Sequence, residues 1–151
     1  MTQARSDGID PAARSRARRR ALQAIYAWQL SGSEVRAIIE QFRSEQDMQV
    51  ADLEYFEDLV RGVASRCAGL DAGLAPFLDR GIEQVDPIER ATLRLAAYEL
   101  KYRLDVPYRV VLNEAIELSK RFGADQGHTY VNGVLDKLAR ECRSAEYETA
   151  R

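Results

Sequence analysis

Histidine, cysteine and proline are all scarce in this 151-residue chain, at one, two and four residues. His128, Cys67 and Cys142 cannot supply the three or four closely spaced ligands of a zinc site. The cysteines stand far apart with no paired spacing, which reads as two reduced, buried thiols in an intracellular protein. No apolar run nears the ~18 residues needed to span a bilayer. Charges stand where a signal peptide would carry its apolar stretch, so the expected location is the cytoplasm. No glycine-rich loop follows a strand-like stretch, so neither nucleotide fingerprint is present. A Ser-His-Asp or Cys-His arrangement around His128 has no local support. The expectation is a binding protein without metal or cofactor, not an enzyme.

What is present is helical periodicity and segregated charge. Asp10-Pro11 has the form of an N-cap followed by proline at the first helical position. Ala17, Ala21, Leu22, Ile25 and Trp28 then make one apolar stripe, which Ser31-Gly32 ends. Further helices are expected through Val35–Phe42, through Leu53–Cys67, and through Leu70–Leu78 with a kink at Pro76. Asp86-Pro87-Ile88-Glu89 resembles a capping box and opens a helix through Leu93 and Leu104. Pro107 to Gly123 and a stretch after Asp125, through Val131 and Cys142, complete the pattern. The expected fold is all-α with about seven helices. Residues 1–10 read as a flexible arm, 11–145 as one domain and 146–151 as a polar, fraying tail.

The net charge of −2 hides a net of +4 over residues 1–20 and −6 over residues 34–58. Arg14, Arg16, Arg18, Arg19 and Arg20 put five cations in seven residues. Like charges four apart on a helix cost a few tenths of a kcal/mol each, and no acid lies within local reach. They also lie near the positive end of their helix. A polyanion outside the chain would relieve this crowding; so would the acidic 34–58 segment. Tyr26 lies off its helix's apolar stripe and Tyr130 near the start of the last helix. Each is either a packing residue or a stacking platform for an unpaired base. Gly127, His128 and the N–H groups opening that helix could seat a phosphate. Around Asp79, Glu83, Asp86 and Glu89, the residues alone read as capping plus solvated charge.

Several stretches carry a resemblance. RARRRALQAIYAWQL at Arg16–Leu30 and DVPYRVVLNEAIELSKRFGADQGHTYVNGVLD at Asp105–Asp136 resemble the NusB transcription antitermination family. YFEDLVRGVA and IERATLRLAAYEL are also similar, so the likeness spans about residues 12–140. It implies a helical bundle of two packed subdomains. It further implies binding of boxA single-stranded RNA together with NusE, a small-subunit ribosomal protein, in an antitermination complex on RNA polymerase. By position, Arg14, Arg16 and Arg18 match the family's RNA-backbone-binding arm, which Arg19 and Arg20 extend. Tyr26 and Tyr130 match aromatics of the RNA face, and Gln126 and His128 the loop beside it. Glu83 and Glu89, with Phe77 nearby, match positions facing NusE. Thr129 stands where some relatives are basic, and Gln126 where a relative's loop can be acidic. The resemblance leaves monomer or homodimer open. A ribosomal RNA methyltransferase sharing this fold would need a further catalytic domain, for which 151 residues leave no room.

Overall fold

The computed structural model describes residues 10–45 and 51–150; residues 1–9 of the expected flexible arm lie outside them. The helix boundaries follow local signals closely. Asp10 accepts a hydrogen bond from the Ala12 N–H and opens α1 (Pro11–Ser31), which closes on Gly32 at φ 71°. Next come α2 (Val35–Arg43), α3 (Leu53–Ser65) and α4 (Cys67–Leu74). Single 3-10 turns follow at Ala75–Phe77, over the expected Pro76 kink, and at Ile82–Gln84. Asp86 accepts from the N–H groups of Ile88 and Glu89 to open α5 (Pro87–Tyr102). Last are α6 (Tyr108–Phe122), α7 (Gly127–Cys142) and α8 (Ser144–Ala150). Among the described residues there are eight α-helices and no strand.

Three expectations need correction, the first being the helix through Leu104, since α5 ends at Tyr102 and Leu104 is exposed. The third helix does not run on through Cys67; it breaks at Arg66 (φ −113°, ψ 17°). The break lets Leu70 and Leu74 of α4 turn onto α5, where both are fully buried. The segment after Arg143 is also helical over its described residues, since Ser144–Ala150 forms α8. Tyr147 packs its ring on Tyr108 at 5.1 Å between centroids, and Glu146 accepts from the Tyr108 N–H at 2.8 Å.

α5 is the axis of the molecule. α1, α3, α4, α6 and α7 all pack on it, so Glu89 to Leu100 are all buried. A helix enclosed all round takes its polar residues inside with it, and each then needs a partner. Arg94 makes two bonds to Asp71, at 2.9 and 2.8 Å, and a third to Gln29. Arg90 reaches the carbonyls of Glu83 and Val85. The last carbonyls of α5 are met from afar by buried Arg143. Its guanidinium donates to the carbonyl oxygens of Leu100 at 2.8 Å, Arg103 at 3.0 Å and Glu99 at 3.3 Å. Arg143 thus adds to the local cap, in which the Arg103 N–H donates to the Glu99 carbonyl, and holds α8 against α5 through Glu146.

Candidate nucleic-acid interface

The five arginines of α1 part into two sets. Arg18 is 3% exposed and forks onto Glu99 of α5, itself 1% exposed, with N–O distances of 2.9 to 3.0 Å. The Tyr55 hydroxyl donates to the same carboxylate. Burial alone would lower the Arg18 pKa, but Glu99 outweighs it and holds the guanidinium above its ordinary value. Burial, then Glu99, pushes the Tyr55 phenol well up. Arg14 pairs with Asp105 at 3.2 Å and Asp52 at 3.6 Å, and lies 4.1 Å over the Tyr55 ring. Arg18, expected to meet RNA, is therefore engaged inside the fold, whereas Arg14, expected there too, is half-buried and pairs with a partly exposed Asp105. Acids on α5, at the head of α3 and before α6 relieve the crowding that the local sequence left unrelieved.

Arg16, Arg19 and Arg20 are half-buried. Arg20 donates to Gln23 at 3.0 Å. Arg19 lines a groove of about 390 Å3 between α1 and α6, shared with Ser15, Glu114, Glu117, Lys120 and Arg121. Sequence reasoning missed Lys120 and Arg121. In the last turn of a helix, basic residues read as complements to the dipole, which is their usual place.

The start of α7 holds the other expected residues. Gln126 is exposed and takes the left-handed conformation at φ 71°, turning the chain into the helix. A Cβ at Gly127 would overlap the Glu89 carboxylate and force it to shift. The Gly127 and Thr129 N–H groups donate to the Ala124 and Gln126 carbonyls, which takes two donors from the expected phosphate seat. His128 and Tyr130 are half-buried, as is Tyr26, whose ring rests on the core. One residue not foreseen joins them: Arg80, whose guanidinium lies 5.1 Å from the centre of the Tyr130 ring. Arg80 in turn forks onto Asp79, with bonds of 2.7 and 2.9 Å. This hydrogen bonding lowers the Asp79 pKa and raises that of Arg80. Burial first, then Asp79, raises the Tyr130 phenol.

Of the positions expected to face a protein partner, Glu83 is 73% exposed, with Arg90 and Arg94 at 3.8 and 3.9 Å. Phe77 is half-buried. Glu89 is a correction: at 8% exposure it lies under Gly127 and presents no acidic surface. Burial, then Asp86, raises its pKa, with Arg80 opposing. The native state therefore binds the Glu89 proton more tightly than the unfolded chain does. The native state gains stability as pH falls from the raised value toward the ordinary glutamate value, and loses it as pH rises through that window. Glu89→Gln is expected to stabilise the protein at pH 7, with the gain closing as pH drops toward 4. Urea unfolding at several pH values would read it, and a gap independent of pH would refute the linkage.

Residues 15–140 match the model of the NusB family. The chain belongs to the NusB family. It is 67% identical over 142 residues to the transcription antitermination protein NusB of Xanthomonas oryzae pv. oryzae (strain PXO99A), covering 94% of this chain and 91% of that protein. Its relative from Xanthomonas campestris pv. campestris (strain B100) is 66% identical over the same share of this chain and 89% of its own. Among solved structures, T. maritima NusB superposes with a TM-score of 0.75 at 28% identity, over 88% of this chain and 96% of that one. A chain from the crystal structure of antitermination factors NusB and NusE in complex with dsRNA superposes at 0.71, with 23% identity, over 84% and 96%. That last likeness is one of fold alone.

Proposed function

We propose that this chain, as a NusB-family antitermination factor, acts in ribosomal RNA transcription by holding boxA-type single-stranded RNA together with the ribosomal protein NusE, inside an RNA polymerase complex in the cytoplasm. It acts by binding, not by catalysis. Arg16, Arg19 and Arg20 of α1 hold phosphates. Tyr26 and Tyr130 stack unpaired bases, and Gln126 and His128 line the way between. Glu83 and Phe77 face NusE. The observation that carries this reading is the groove in which Arg19 meets Lys120 and Arg121, cations from helices far apart in sequence lining one space. The chain is monomeric, or a homodimer, before it meets its partners.

The test is fluorescence anisotropy on boxA-type RNA, a scrambled strand and an RNA duplex, with and without NusE, across a salt series. Arg19→Ala with Lys120→Ala is expected to weaken binding and flatten the salt dependence by up to ~0.7 log units per lost phosphate contact. An unchanged slope would take the groove out of the interface. Equal binding to all three probes, indifferent to NusE, would reduce the arginines to a general polyanion patch.

A further inference from the structure

We propose that Arg80 is a phosphate-binding residue of this face and that the free chain keeps it closed with its own neighbour, the Asp79 carboxylate occupying the guanidinium fork where an RNA phosphate would sit. The inference rests on the RNA reading above and adds a self-occupied subsite to it.

The geometry of the pair is that of a ligand. Arg80 Nε meets Asp79 Oδ1 at 2.7 Å and Arg80 Nη2 meets Oδ2 at 2.9 Å. These two parallel bonds are the ones an arginine offers a phosphate. No burial demands the pairing. The side chains are 46% and 60% exposed, whereas Arg18, Arg94 and Arg143 are tied to their partners inside the fold. An exposed pair between chain neighbours holds weakly, so a polyanion displaces the carboxylate readily.

The position also fits. Asp79 and Arg80 lie in the loop between the two 3-10 turns, and the Arg80 guanidinium sits against the Tyr130 ring, the face a base would use. The acids around the fork are Asp79 itself and the buried Glu89, with Asp86 next to Glu89. A phosphate taking the fork would draw Arg80 toward the backbone of the strand. The aromatic face would then be left to the adjoining base. The subsite thus accepts a stacked base and its neighbouring phosphate as one unit.

A double-mutant cycle tests this on the full chain, with boxA-type RNA and scrambled RNA as probes. The expected result for Asp79→Asn is a Kd lower by ~2- to 5-fold, the range of an exposed ion pair. Arg80→Ala is expected to raise Kd and flatten the salt slope by ~0.7. In the Arg80→Ala background the Asp79→Asn gain disappears. A gain of the same size in both backgrounds would show that Asp79 acts only by its charge, and the proposal would fall. So would an unchanged Kd and slope for Arg80→Ala where Arg19→Ala with Lys120→Ala flattens the slope; that combination leaves the RNA reading standing. No binding of RNA by the wild-type chain would overturn both.

Discussion

Arg18→Ala is expected to cost about 3–5 kcal/mol of stability, read as a lower urea midpoint at unchanged slope. The cause is what the truncation leaves behind. Glu99 is 1% exposed on a helix enclosed by its neighbours, and Arg18 supplies two of the groups that neutralise it. Without Arg18 the carboxylate keeps only the Tyr55 hydroxyl among its hydrogen bonds described above. Arg18→Met combined with Glu99→Gln should recover most of the loss, because a buried pair replaced at similar volume is close to neutral. A loss under ~1 kcal/mol for Arg18→Ala would mean that the pair is dispensable. The arginine would then be available to RNA, as the family resemblance implies.

The second large effect is expected at Gly62, where α3 crosses α5. A Cβ there would overlap the Tyr98 ring. That ring has little freedom to yield. Its hydroxyl donates to Asp58 at 2.8 Å, its face lies 5.4 Å from the Tyr102 ring, and burial with Asp58 pushes its phenol up to about 12. Gly62→Ala should therefore cost about 1–3 kcal/mol by overpacking. Adding Tyr98→Leu removes the obstacle. The two changes together should then be less damaging than their separate costs imply, a coupling that thermal or urea unfolding of the four proteins would give. Additive losses would place the strain elsewhere.

How much of this was legible in the sequence differs by kind of signal. Helix starts at Asp10-Pro11 and Asp86-Pro87, and the stop at Gly32, rest on contacts within a few residues, so they could be read directly. The break at Arg66 and the order of residues 144–150 depend on what lies across the fold, namely α5 for Leu70 and Tyr108 for Tyr147. The arginine run shows the same division. Its existence and helical setting were plain, but Glu99, Asp105 and Glu114, the last 3.6 Å from Arg18, are some eighty to a hundred residues away along the chain, and no local pattern marks them as partners. The resemblance carried the family and the fold. It could not separate Arg18 from Arg19, which are neighbours in sequence but buried and half-buried respectively. Arg80 was invisible for a related reason: only the loop's path brings it over Tyr130.

Arg143 carries a consequence for how the protein is made. The carbonyls it satisfies belong to residues 99, 100 and 103, about forty positions earlier. At the usual ~5–20 residues per second of synthesis, α5 exists for roughly two to nine seconds before the side chain that closes its end has been added. During that interval the Glu99 and Arg103 carbonyls have the Arg103 and Val106 N–H groups, but the Leu100 oxygen has only water, or a chaperone. A nascent chain halted before residue 143 should carry a frayed α5 terminus, and its central helix should gain full protection from exchange only once translation passes that arginine.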